Sequence, residues 1–207
     1  MKNKSNVDVK KFRSRENWYG SFYELAFYFN DALKEPSKRL QLLQCVWNGK
    51  YLEGVVSSLE DLGDTNQEIT FVKLDDHSRY YGLIKVEDTL LACMTSFFSS
   101  EGLTIFTLNI PLEIISKKYN VKYPVTAKQN PWMKYIDSIF ILISLEVYQR
   151  ERFDIAVIGE EASAVTYKKY INNLKDENNL VVPSSLFSKL NMAKRGTEIC
   201  EGLMWIE

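Results

Sequence analysis

Four carboxyl groups in the sequence are candidates for acid–base chemistry. Glu24 lies inside a run that is otherwise aromatic and apolar, and Asp137 lies beside the apolar stripe of a predicted helix. Glu160 and Glu161 directly follow a predicted buried strand. Two carboxyl groups in one pocket can act as general acid and base, or bind a hard cation such as Mg²⁺. One hypothesis is therefore a carboxylate-based hydrolase or transferase; the alternative is that each residue faces solvent or a lysine.

The single histidine, His77, limits every other kind of active site. A Ser-His-Asp or Cys-His site would have to use it. It follows Asp75-Asp76 in a polar run that is typical of a hairpin turn. The three cysteines are widely spaced with no CxxC pair, and no glycine-rich phosphate-binding motif occurs. The sequence therefore favours a hairpin tip over a catalytic centre at His77, and it predicts no cofactor and no metal site.

Charge is balanced over the whole chain but not along it. The formal net charge is −1, which argues against a molecule built as a whole to bind nucleic acid or membranes. Residues 1–16 carry six basic and two acidic groups, whereas residues 53–76 carry seven acids and one lysine. Segregated charge suits a protein partner of complementary charge. We expect Glu60, Asp61 and Asp64 to contact a basic surface of such a partner.

Aromatic residues are concentrated near the start of the chain, between residues 18 and 29. Tryptophan and tyrosine are favoured anchors at protein interfaces because they combine a large contact area with a polar group. The cluster is denser than one strand usually buries, so part of it is expected at the surface. We therefore add Trp18 and Tyr19 to the predicted partner-binding residues.

A second basic segment supports a weaker alternative. Residues 116–134 carry five lysines and no acid, interleaved with Tyr119, Tyr123 and Trp132. Lysines with aromatic rings can follow a nucleic-acid backbone and stack on its bases. The segment contains no arginine and no RNA-recognition motif, so a solvated loop is the commoner explanation.

The 207 residues, 45% of them hydrophobic, are typical of one globular domain that needs no disulfides. We expect a polar basic arm at residues 1–16 and a single domain at 17–207. The arm is not followed by the hydrophobic region of a secretory signal, and the most apolar run, 136–147, is shorter than the roughly 20 residues of a membrane helix. The odd cysteine count suits a reducing compartment, so the sequence predicts a cytoplasmic protein without membrane contact.

Apolar runs between turn signals predict a series of strands. Alternation in the aromatic run favours a strand there, and polar clusters separate four runs in the middle of the chain. Two short runs near the end are expected to be edge strands. The predicted strands are 21–30, 69–74, 80–86, 90–98, 103–110, 154–158 with Gly159 as its stop, 180–182 and 203–206.

Helical spacing predicts five helices. One begins at Pro36 and stops at Asn48-Gly49, and a short one opens at Pro111. The strongest local signal is Asn130-Pro131, an asparagine N-cap followed by proline in the first turn of a helix that runs to about Arg150. The others are a helix predicted at 162–174 and a helical turn predicted at 184–191.

Strands bordered by helices, without repeated strand–helix alternation, indicate an α+β fold. We expect a mixed, mainly antiparallel sheet with helices packed mostly on one face. The leading functional hypothesis is a non-enzymatic protein-binding module of the inhibitor or neutralising-partner type, and the carboxylate-based enzyme is the alternative.

Overall fold

A nine-stranded antiparallel sheet organises the chain. The computed structural model describes residues 8–30, 32–64, 74, 76, 78–164, 167–168, 171, 179–189 and 196–206. The strands are β1 Phe22–Phe29, β2 Leu52–Val56, β3 Arg79–Val86, β4 Thr89–Ser100, β5 Leu103–Pro111, β6 Ile155–Glu160, β7 Leu180–Pro183, β8 Gly196–Cys200 and β9 Leu203–Ile206. Their order across the sheet is β2, β3, β4, β5, β1, β6, β7, β9 and β8.

Strand β1 lies near the middle of this sheet, between β5 and β6. Seven of its eight residues are buried. A strand covered on both faces has no solvent side, so it is apolar throughout and does not alternate with polar residues. This explains why the aromatic run is so dense, and it makes Glu24 the one charged group in the strand.

Four α-helices are described: α1 Pro36–Trp47, α2 Leu112–Ser116, α3 Met133–Arg150 and α4 Ser184–Lys189. Residues of α1, α2 and α3 share one core with Tyr23, Leu25 and Phe27 of β1. A smaller core on the other face joins Ala26 and Tyr28 of β1 to residues that include Phe187 of α4. The predicted α+β fold, with a mainly antiparallel sheet and helices mostly on one face, is confirmed.

The predicted N-cap of the long helix is wrong. Helix α3 begins at Met133, and Asn130 does not cap it. The Asn130 side chain is fully buried and is bonded to the backbone N–H and C=O of Lys122, at 2.7 and 2.8 Å. Asparagine side chains bond to loop backbone as readily as to helix ends, and here the preceding loop takes the amide.

The second half of the sheet also differs from the prediction. The strands expected at its edges, β7 and β9, lie inside it, and the edges are β2 and β8, which the sequence did not predict. Strand β6 does not stop at Gly159 but continues through Glu160. Short strands owe their place to partners distant in sequence, which local patterns do not report.

Some predictions fall wholly or partly outside the described residues. These are the basic arm at 1–16, the strand at 69–74, the turn that contains Asp75 and His77, the helical turn at 184–191 and the helix at 162–174. At the start of that last segment, Ala162–Ala164 forms a 3₁₀ helix.

The described part of the predicted basic arm packs against the domain. Two 3₁₀ helices, Val9–Arg13 and Arg15–Trp18, follow one another there. Phe12 is 3% exposed and belongs to the larger core. The segment therefore has a fixed position beside the sheet from Val9 onwards.

The close approach of α1 to the sheet gives a test of this packing. A Cβ at Gly82 in β3 would lie 2.4 Å from the Trp47 ring, whereas a Cβ at Gly159 in β6 would meet nothing within 4 Å. We expect Gly82→Ala to lower the free energy of unfolding by about 1–3 kcal/mol, because the overpacked indole must move. Gly159→Ala is the matched control and should stay within about 0.5 kcal/mol of wild type in urea unfolding. Equal midpoints for both variants would contradict this placement of Trp47.

Candidate functional site

Glu24 occupies a buried position in β1 and is 5% exposed. Its Oε2 accepts a hydrogen bond from the backbone N–H of Ser163 at 2.8 Å. Burial raises the pKa of the Glu24 carboxyl, the hydrogen bonds from Ser163 oppose this rise, and the nearby charge of Glu161 adds to it. The protonated form is therefore favoured relative to an exposed glutamate.

Glu161 closes the end of the β1–β6 pair. Its Oε1 accepts the N–H of Phe22 at 2.9 Å, while its own N–H donates to the carbonyl of Phe22 at 3.0 Å. The residue has a φ of 50°, which turns the chain away from the sheet after β6. The Glu161 carboxylate thus accepts a backbone N–H at the end of a strand, which is a structural role.

Asp137 lies on the opposite side of the sheet from Glu24. Its Oδ1 accepts a hydrogen bond of 2.6 Å from the hydroxyl of Tyr23, which is fully buried. Burial and the Asp137 carboxylate both raise the pKa of the Tyr23 hydroxyl, so it remains a donor. Because Tyr23 and Glu24 are consecutive in a strand, their side chains point to opposite faces, and Asp137 cannot share a pocket with Glu24.

The four predicted catalytic residues thus divide into separate places. Glu24 and Glu161 are near neighbours, Glu160 is paired with Tyr23 in the β1–β6 register, and Asp137 is across the sheet. Among the described residues, no three His, Cys, Asp or Glu side chains could hold a metal ion together. A cleft of about 630 Å³ lies between α1 and α3, and none of the four lines it. The catalytic role of these residues stays a prediction.

A buried polar cluster beside Glu24 was missed by the sequence analysis. Asn109 of β5 is the cross-strand partner of Glu24 and is 2% exposed. Its Nδ2 donates to Oγ1 of Thr107 at 2.9 Å, and Thr107 also bonds to Ser96 of β4 at 2.8 Å. No described residue bonds to the Asn109 Oδ1. Polar residues at alternate positions of an apolar strand, here 107 and 109, were the signal that could have revealed it.

Two of the three predicted acidic contact residues, Glu60 and Asp64, pair with the predicted basic arm. Arg13 bonds to Asp64 at 2.5 Å and to the carbonyl of Leu62 at 2.7 Å. Arg15 lies 3.7 Å from Glu60, and both side chains are more than three-quarters exposed. The charges of Glu60 and Asp64 are therefore paired within the chain and do not require a basic partner.

Trp18 and Tyr19 lie next to these charges but differ in exposure. The Trp18 indole donates to the carbonyl of Phe12 at 2.8 Å and packs edge-on against Tyr81. Tyr19, in contrast, is 70% exposed. A 3₁₀ helix rises about 2 Å per residue, so Tyr19 lies within about 8 Å of Arg15 along the backbone. We call Arg15, Tyr19, Glu60 and Asp61 the N-terminal surface.

Comparison with known proteins adds no functional information. No family model, curated protein or solved structure matches the chain. None of the helices that the structure describes has the length and apolarity to cross a membrane.

The raised pKa of Glu24 predicts how stability depends on pH. A carboxyl whose pKa is higher folded than unfolded stabilises the fold below its ordinary pKa of 4.5, and this contribution is lost as the pH rises through the folded value. We expect Glu24→Gln, which keeps an acceptor for Ser163 without a charge, to gain stability relative to wild type between about pH 4 and pH 8.

Urea unfolding across this pH range measures the effect. Glu160→Gln removes the same charge from the neighbouring strand, where the carboxyl is half-buried, and serves as the control. If wild type and Glu24→Gln differ by a constant free energy at every pH, the raised pKa of the Glu24 carboxyl is wrong.

Proposed function

We propose that this chain is a non-enzymatic protein-binding module that docks through its N-terminal surface. The observation that carries the proposal is the exposure of Tyr19, 70%, next to residues that are firmly packed. Buried core explains the other aromatic residues of this region, but it does not explain Tyr19. A solvent-exposed tyrosine beside charged side chains is typical of an interface anchor.

The backbone that presents Tyr19 is fixed before any partner binds. The side chain of Asn17 is 3% exposed and donates to the carbonyl of Lys11 at 2.9 Å. On the next residue, the Trp18 indole is bonded to Phe12 and packed on Tyr81. An ordered segment loses less conformational entropy on association, so such an anchor binds more tightly than one on a disordered arm.

The charges around Tyr19 favour a partner of mixed charge. The Arg15–Glu60 pair is highly exposed, and exposed pairs add about 0–1 kcal/mol to stability. Both groups can therefore exchange their contact for one with a partner at little cost. The Arg13–Asp64 pair is more protected and also holds the carbonyl of Leu62, so its role is structural.

The alternative, a carboxylate-based enzyme, receives less support. It needs two of the predicted carboxyl groups in one accessible pocket, yet Glu24 and Glu161 each accept a backbone N–H and Asp137 is bonded to a buried tyrosine.

The three cysteines are free, which fits the proposed location in a reducing compartment such as the cytoplasm.

The proposal predicts that Tyr19 is needed for a stable complex. Native mass spectrometry of the untagged protein, isolated from its own cells, should show a stoichiometric second polypeptide. Tyr19→Ala should weaken that complex by roughly 2 kcal/mol or more, about 30-fold, as expected for a hot-spot residue. Glu60→Lys should weaken it less and make it more sensitive to salt.

Tyr123→Ala is the matched control, because Tyr123 is also highly exposed, at 66%, and lies in a different part of the chain. It should leave the complex intact. Absence of a second polypeptide from the wild-type protein would refute the proposal, as would equal retention by Tyr19→Ala and wild type.

A further inference from the structure

A second surface, distant in sequence from the N-terminal surface, has the features of a nucleic-acid site. Residues 117–132 connect α2 to α3, and we call them the lysine loop. The loop carries four lysines and no acid, and Lys134 follows in the first turn of α3. Although 16 residues long, it contains no helix or strand. Long loops of this kind are uncommon in compact domains unless they have a function.

The loop is held in one shape by Asn130. Besides its two bonds to Lys122, the buried amide donates to the carbonyl of Thr126 at 3.2 Å and accepts from the Trp132 indole at 3.1 Å. One side chain thus connects Lys122, Thr126 and Trp132. The residues between Lys122 and Asn130 are presented on a fixed scaffold, which lowers the entropy lost on binding a ligand.

The basic side chains of this scaffold face solvent. Lys118, Lys122 and Lys128 are exposed, whereas Lys117 donates to Oδ1 of Asn17 and so helps to fix the loop. The negative charges of Glu87 and Asp88 act on the hydroxyl of Tyr119, which belongs to the loop. The local excess of positive charge suits a polyanion, although the chain as a whole carries −1.

Aromatic rings lie among these lysines. Tyr123 is 66% exposed, directly after Lys122. A shallow cleft of about 310 Å³ lies alongside, and its lining includes Lys122, Tyr119 and Tyr135. An exposed ring next to a lysine offers a stacking platform beside a phosphate contact.

We propose that the lysine loop binds single-stranded nucleic acid with little sequence preference. Lysines would neutralise the phosphates, and Tyr123 would stack on an unpaired base. An acidic protein would also be attracted by the lysines, and competition with poly-glutamate distinguishes it from a nucleic acid. A duplex keeps its bases stacked inside and offers Tyr123 no partner.

Fluorescence anisotropy tests this with labelled oligouridylate and oligothymidylate of about 20 nucleotides, at about 50 mM salt. Binding should be measurable and should weaken as salt rises, with a logarithmic slope of about −0.7 for each phosphate contact. Tyr123→Ala should weaken binding by about 5- to 100-fold through lost stacking. Lys122→Ala combined with Lys128→Ala should reduce the salt slope by about 1.4.

Tyr19→Ala is the matched control and should bind the oligonucleotides like wild type. A duplex of the same length should bind more weakly than either single strand. Near-ultraviolet circular dichroism checks that the exposed substitutions leave the fold unchanged. The proposal fails if no binding is detected at the lowest salt concentration, or if Tyr123→Ala binds like wild type. It also fails if poly-glutamate displaces the RNA at equal charge concentration, which would point to an acidic protein.

Discussion

The burial of β1 on both faces is the constraint on which the remaining structure depends. Strands β5 and β6 bond to its two sides, while α1 and α3 contribute to the core on one face and a smaller core forms on the other. Each side chain of the strand must therefore find a partner inside the protein. The aromatic residues do so by packing, and Glu24 does so through the N–H of Ser163 and a raised pKa. Burial thus disfavours the charged form of the Glu24 carboxyl, and this follows from its place in the strand, whatever the protein does.

The sequence predicted well those elements whose signals are local. Strands β3, β4 and β5 follow from apolar runs separated by turns, and the Glu101-Gly102 turn has the positive φ angles that tight hairpins need. Strands β2 and β8 escaped prediction because they are five residues long and partly exposed. Strand β2 is defined by pairing with β3, more than 20 residues later, whereas β8 forms a hairpin with the adjacent β9. The N-cap predicted at Asn130 was wrong because the side chain bonds to Lys122, and the shape of the loop between them is not visible in local sequence patterns.

For the candidate sites, residue types were predictable but their partners were not. Alternation within β1 already places Tyr23 and Glu24 on opposite faces, yet nothing in the sequence says which face α3 covers and hence where Asp137 lies. Likewise, the charge runs at 1–16 and 53–76 were visible, whereas the contact of Arg13 with Asp64 joins residues 51 positions apart. The separation of these charges in sequence suggests a partner of complementary charge, but the fold pairs some of them with each other.

The two sheet edges bear on how such a protein can recognise anything. An open edge strand invites pairing with another chain, and a bulge or an exposed charge discourages it. The β2–β3 register shifts between Glu53 and Val56, and the β8–β9 register shifts between Glu198 and Cys200, so both edges are irregular. Both also expose a glutamate. Backbone pairing is thus disfavoured at either end of the sheet. Both proposed binding surfaces accordingly use side chains on segments outside the sheet, where Tyr19 and Tyr123 are exposed.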